Sequence, residues 1–422
     1  MAGICDYLKW RGDLSLTERP FNDADNVILA TFCYFDFTGI IPGPSPDPEV
    51  MPSTVLLSSA CKQLLAKANG SLDKYVRSFS IIDNDFMHHM AVSRRFGTAK
   101  LHSYVDVVDD NRDLQFSAMQ YDLDSDETYV AFRGTDNTLV GWREDFMLSF
   151  EVTEAQKEAQ RYLEDALRLA QKRGRKVRVG GHSKGGNLAE YAAACCPADL
   201  RKSIICVYSN DGPCMAPEVM PVDSREVLGP KLKRLVPTYS VVGMIFSNPD
   251  DQRIIVGSSG IGIGQHDSAT WKFTPRGMKE EPKLQIDCKV INDSIAEWAR
   301  GLPLAERERM TNELFDALEV GGAQTFEDIL MSKDGLKKVF KALNKADERT
   351  RKMVNALLSA TLANSVGTVK KATQDAIEQW RKDAKVAAND ALEQLGKNAM
   401  DAAEDALRKL VESVMEPSKD DT

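Results

Sequence analysis

Three alternating runs of apolar and polar residues lie close together in the first third of the chain. "KLHSYVDVV" (100–108), "LQFSAMQYDL" (114–123) and "TYVAFRG" (128–134) are rich in aromatic and β-branched residues and are parted by the acidic stretches "DDNRD" and "DSDE". Runs of this kind, bounded by turn formers, predict three strands. The period then changes. From Glu154 to Arg173 the apolar positions Ala155, Ala159, Tyr162, Leu163, Ala166, Leu167 and Ala170 recur every three or four residues, and Gly174 follows. That spacing predicts an amphipathic helix with a glycine stop. "KVRVGG" (176–181) predicts a short strand, Gly186 to Cys196 a helix stopped by Pro197, and "KSIICVYSN" (202–210) the next strand. "LKRLVPTYSVVGMIF" and "QRIIVGSS" supply further strand candidates. Strands alternating with helices imply βαβ units and a mostly parallel sheet covered on both faces, an α/β fold.

The flanking regions read differently. Near the start, "NVILATFCYFDFTGIIP" and "IPGPSPDPEVMPS" predict a helix followed by a surface loop, since repeated prolines cannot donate to a hydrogen-bond ladder. "FMHHMAVSRRFG" predicts a short helix closed by Gly97. Beyond residue 290 glycine and β-branched runs give way to Ala, Leu, Glu and Lys at helical spacing. The chain is therefore expected to comprise an α/β domain at residues 1–290 and an α-helical C-terminal region at 291–422. An amphipathic helix of that region can bury its apolar face on its own domain, in a homo-oligomer, or by peripheral contact with a membrane.

Charge narrows the partners. A net charge of −9 with a pI near 5.3 argues against a general nucleic-acid binder, which needs clustered cations. No stretch reaches the roughly 18 apolar residues of a membrane span, so no transmembrane segment is expected. "MAGICDYLKWRGDLS" has no apolar run of signal-peptide length. The eight cysteines show no CxxC spacing and lie in apolar segments. Buried free thiols in a reducing, cytoplasmic setting are the reading, and zinc ligation has little support, since none of the five histidines lies at metal-site spacing from a cysteine.

Candidate chemistry centres on "GHSKG" (181–185), a GxSxG pattern between a predicted strand and a predicted helix. That context is the one a nucleophile elbow requires, with glycines where side chains would collide. Ser183 is the candidate nucleophile; the alternative is a serine in a structural turn. A serine hydroxyl needs a base, and in hydrolases of this fold the order along the chain is serine, acid, histidine. His266, in "GIGIGQHDSATW", is the one histidine after Ser183. His182 is expected to point away from the serine and to pack. For the acid, Asp211 follows the next strand at the sheet edge where sites collect. Asp250 and Asp251, Asp267, or a Ser-His dyad stay open as alternatives. Oxyanion donors would be the amide of Lys184 and a second amide from the loop in "YVAFRGTDNTLVGWREDF", where Gly134 permits a sharp turn.

Together "VAFRGTDNTLVGWREDF", "VGGHSKGGNLA" and "QHDSATW" resemble class 3 lipases, and more closely a bacterial class-3-lipase-like group of α/β-hydrolases called Mbeg-like, over residues 1–290. The resemblance implies an α/β-hydrolase fold, with Ser183 as nucleophile, His266 as base and the amides of Thr135 and Lys184 as oxyanion hole. One departure stands out. Class 3 lipases carry their acid in the region matching "PTYSVVGMIF", which holds no carboxylate here; either Asp211 takes that role or catalysis is weakened or absent. "DNTLVGWREDFMLSFEVTEAQ" falls where those lipases carry a lid, and Leu139, Val140, Trp142 and Phe146 either shield a site or belong to the core. The expected function is a serine hydrolase of a lipid or other acyl ester, needing no cofactor. The competing expectation is a non-catalytic hydrolase fold that binds a ligand or partner and assembles through its helices.

Overall fold

Eight strands make one sheet in the order in which the chain forms them: β1 (Val55–Leu56), β2 (Lys100–Asp109), β3 (Leu114–Asp122), β4 (Glu127–Phe132), β5 (Lys176–His182), β6 (Ile204–Asn210), β7 (Leu232–Pro237) and β8 (Ile254–Val256). This architecture comes from a computed structural model that describes residues 2–78, 82, 84–136, 138–248, 250–260, 262–285 and 303–319. The expected helical run from 320 to 422 lies outside the described residues, as does Cys288.

The three strands expected between residues 100 and 134 are β2, β3 and β4. They pair antiparallel, as does β1 with β2. Their connections are tight: Asp113 and Asp126 adopt the left-handed conformation that the acidic turns require (φ 46° and 56°), one that Asp tolerates better than most residues. From β4 to β8 every pairing is parallel, which makes the sheet mostly parallel.

Parallel strands need crossovers. Helices α5 (Leu139–Met147) and α6 (Glu154–Lys172) join β4 to β5, α7 (Lys184–Cys195) and α8 (Ala198–Arg201) join β5 to β6, and α9 (Ser224–Leu228) precedes β7. When consecutive strands are also neighbours, crossovers of one hand place their helices on one face. The packing agrees: Val130, Phe132, Val177 and Val179 meet the apolar sides of α6 and α7. The alternate residues of β4, Tyr129 and Ala131, point to the opposite face. That face is covered by helices that precede β2 in the chain, α1 (Ile4–Arg11), α2 (Asp23–Phe32), α3 (Leu57–Ala68) and α4 (Asn84–Val92).

Helix α2 ties this face to the sheet. Asn22 caps it in a capping box with Asp25, and every residue from Ala24 to Phe32 is buried. Asp25 is sealed in an ion pair with Arg95 at 2.5 Å. Asn26 reaches through to the strands, donating to Asn210 Oδ1 at 2.8 Å and accepting from the Tyr129 hydroxyl.

The chain continues past β8 through a 3-10 turn at Gly262–His266 and a small hairpin of β9 (Phe273–Thr274) and β10 (Gly277–Met278). Helix α10 (Leu304–Leu318) packs against α5. Among the described residues no helix is long and apolar enough to cross a membrane. The described cysteines are free thiols.

Candidate active site

Strand β5 ends at His182 and α7 starts at Lys184, so Ser183 alone makes the corner. Its backbone sits at φ 59°, ψ −130°, a conformation strained for a residue with a side chain. The corner is so tight that a Cβ on Gly181 would run into the Gly185 backbone, and one on Gly185 into the Phe132 carbonyl. Those two collisions explain the glycines of "GHSKG". Hydrogen bonds hold the turn: the Ser183 amide donates to the Asn210 carbonyl at 2.9 Å, and the Ser183 carbonyl accepts from Gly186 and Asn187.

His266 arrives at the end of its 3-10 turn and stands over the serine. Its Nε2 lies 3.0 Å from Ser183 Oγ and its Nδ1 lies 2.6 Å from Asp211 Oδ2. A carboxylate oxygen only accepts, so the proton sits on Nδ1 and the Nε2 lone pair faces the serine hydroxyl. Ser183 and His266 stay partly exposed, whereas Asp211 is sealed. Neighbouring groups fix the histidine loop. Gln265 accepts from the Thr238 hydroxyl and the Tyr239 amide, and buried Trp271 donates its indole N–H to the Gln265 carbonyl at 2.8 Å.

Asp211 follows β6 in a left-handed conformation, φ 48°, with its amide bonded to the Leu235 carbonyl. Its second oxygen is held from "PTYSVVGMIF": the Ser240 hydroxyl donates at 2.5 Å and the Gly243 amide at 3.2 Å. The segment that lacks a carboxylate therefore supplies donors to the carboxylate one strand earlier. The other acids stand elsewhere. The Asp251 side chain is buried in an ion-pair cluster with Arg234 and Arg253, Asp250 is exposed, and Asp267 caps the short turn at Ser268–Thr270.

Thr135 and Lys184 flank the elbow. A Cβ on Gly134 would lie 3.1 Å from that of Ser183, which places the Thr135 loop beside the serine. The Thr135 hydroxyl donates to Asp145 Oδ2 at 2.5 Å. Burial pushes the Asp145 carboxyl up to about 6, against the pull of the Lys184 cation and the Thr135 hydroxyl. Lys184 opens α7, and its side chain runs into the core to Glu144 Oε2 at 2.8 Å and to the Gln115 side chain at 2.7 Å.

Glu144 belongs to α5, the region where a lid or a core element was expected. Both of its oxygens are engaged, by Lys184 and the Gln115 amide on one and the Ala155 amide on the other, and its side chain is wholly buried. Leu139 is buried as well, whereas Val140, Trp142 and Phe146 are half-buried. Glu144 thereby ties this helix to β3, α6 and the elbow.

His182 exceeds its expected packing role. Its ring is buried, but Nε2 donates to the His266 carbonyl at 2.7 Å while Nδ1 meets the Tyr34 hydroxyl at 2.9 Å. Burial, and then the neighbouring His266, lower its basicity to about 3, so it stays neutral. Tyr34, Ser240, Gly243, Gln265 and Glu144 are further residues that the sequence pattern does not single out. Each acts across a gap of tens to hundreds of positions, where local periodicity carries no signal.

The eight-stranded sheet with its serine at a strand-to-helix corner is an α/β-hydrolase fold. Comparison with solved structures finds likeness to the native Rhizomucor miehei lipase of a propeptide complex, with 15% identity over 46% of this chain and 65% of that one and a TM-score of 0.29. It also finds likeness to M37 lipase, with 13% identity over 67% and 81% and a TM-score of 0.33. Lip2 lipase from Yarrowia lipolytica shares 12% identity over 61% and 82%, with a TM-score of 0.29. The chain thus spans just under two thirds of the Rhizomucor miehei chain. Comparison with curated proteins finds no match. The profile of the Mbeg1-like family matches residues 90–316, more than half of the 422 residues, and the chain belongs to that family.

Proposed function

We propose that the protein is a serine hydrolase that cleaves a lipid or other acyl ester through an acyl-enzyme on Ser183. The observation that carries this reading is the unbroken relay from Ser183 Oγ through His266 to the buried Asp211. In the proposed route Ser183 Oγ attacks the ester carbonyl as His266 Nε2 takes its proton, and Asp211 holds the imidazole tautomer and stabilises the cation that forms. The amides of Thr135 and Lys184 receive the negative oxygen of the tetrahedral intermediate. His266 returns the proton to the leaving alcohol, and a water activated by the same nitrogen releases the carboxylic acid and restores Ser183.

A fluorophosphonate probe tests the reading. The wild-type protein takes one label, and Ser183→Ala takes none while retaining its fold by circular dichroism. A folded wild-type protein that stays unlabelled and hydrolyses no short-chain aryl ester would favour a non-catalytic hydrolase fold that binds a ligand or partner.

A further inference from the structure

Helix α5 has only nine residues, and isolated helices shorter than about 12–15 residues are marginal in water, so its position depends on what grips it. One side faces the site, where Glu144 bonds Lys184 beside the serine and Asp145 bonds Thr135. The other side faces α10. The Phe146 and Phe315 rings meet edge to face at 5.5 Å, and Arg143 donates to Asn312 Oδ1 at 2.9 Å. Arg307 donates to the Ser149 carbonyl at 2.7 Å, just past the end of α5, where a cation also complements the helix dipole. Both Arg307 and Phe315 are buried. Residues three apart on α5, Arg143 and Phe146, thus hold α10, while Glu144 and Asp145 between them hold the elbow and the Thr135 loop.

We propose that α10, through Phe315, Asn312 and Arg307, is a positioning element of the hydrolytic site, holding α5 so that Asp145 orients Thr135 beside Ser183. The inference rests on the hydrolase reading and assigns the helix at Leu304–Leu318 a part in acyl transfer. Phe315 touches no reacting atom; it acts through Phe146, Asp145 and Thr135 in turn.

A double-mutant cycle on the full chain tests it, with turnover of a short-chain aryl ester and fluorophosphonate labelling as readouts. Phe315→Ala lowers kcat by up to about 100-fold with little change in KM, the size expected when a site group is misplaced by about 1 Å. Phe315→Leu keeps most of the activity. In a Thr135→Val background, where the hydroxyl link to Asp145 is gone, Phe315→Ala costs less than about 3-fold more, because the two changes cut one path. Equal losses in both backgrounds, or Phe315→Ala with wild-type kcat, would overturn the positioning role alone. If Phe315→Ala does not fold, the half-buried Asn312→Ala is read in the same two backgrounds by the same criterion. A wild-type protein that takes no label overturns the hydrolase reading and this inference with it.

Discussion

At the residue scale the relay depends on one buried carboxylate and on what surrounds it. Asp211 accepts from His266, Ser240 and Gly243, which leaves neither oxygen idle. Asp211→Asn keeps the shape but turns an amide toward the imidazole, so the tautomer that offers Nε2 to the serine loses its support. Esterase kcat should fall by about 10³- to 10⁴-fold with an unchanged melting profile; an unchanged kcat would remove Asp211 from the proposed triad. Asp145 gives a second expectation. Its carboxyl is raised from 3.8 to about 6, so the folded chain holds this proton more tightly than the unfolded one. Its contribution to stability is therefore complete below pH 3.8 and is lost as the pH climbs through 6. Melting temperatures of wild type and Asp145→Asn should diverge across that window, with the wild type falling relative to the variant; a difference independent of pH would contradict the raised value. Ser183, His266 and Asp211 were legible in the sequence because each sits at the end of a predicted strand or in a glycine-rich turn, in the chain order that the fold requires. Ser240 and Gly243 were not, because their role is set by the distance to Asp211 and not by their neighbours along the chain.

Elements were legible where period and punctuation agree. The strands β2 to β6 and helix α6 fall within a residue or two of their expected bounds. Two boundaries differ for physical reasons. Helix α7 begins at Lys184, two residues before Gly186, because the strained Ser183 completes the whole turn by itself. Strand β7 stops at Pro237, although "TYSVVGMIF" continues its apolar pattern; the chain turns there through a 3-10 helix at Val242–Met244 and delivers Ser240 and Gly243 to Asp211. Helix α5 was the element with two readings, and a buried charge pair settles how it is held. Removing one partner of such a pair leaves an uncompensated charge, which costs about 3–5 kcal/mol. Glu144→Ala should therefore lower unfolding free energy by about that much in urea titrations, because Lys184 then keeps only its bonds to Gln115. A loss below about 1 kcal/mol would show that α5 is only loosely attached, as a lid would be.

For the whole molecule, the two faces of the sheet are closed by different parts of the chain. One face is covered by crossover helices that the βαβ rhythm announces; the other is covered by helices α1 to α4, whose placement depends on contacts such as Asn26 with Asn210 and Asp25 with Arg95 that span about seventy to nearly two hundred positions. After β10 the described chain adds α10, and its contacts with α5 give a truncation series its meaning. A chain ending at Asn364 is cut at the boundary of the unit Met1–Asn364 and keeps α10. It should melt with the full chain and retain the same esterase activity. A chain ending at residue 302 loses the buried Phe315 and Arg307 together, leaving Phe146 and the Ser149 carbonyl facing water. Burying a Phe side chain is worth roughly 1.5–3 kcal/mol, so this shorter chain should melt several degrees lower and turn over more slowly. Equal melting of the two truncated chains would show that α10 only rests on α5, and comparing their size and vesicle flotation with those of the full chain would then assign any assembly or lipid contact to the residues beyond 364.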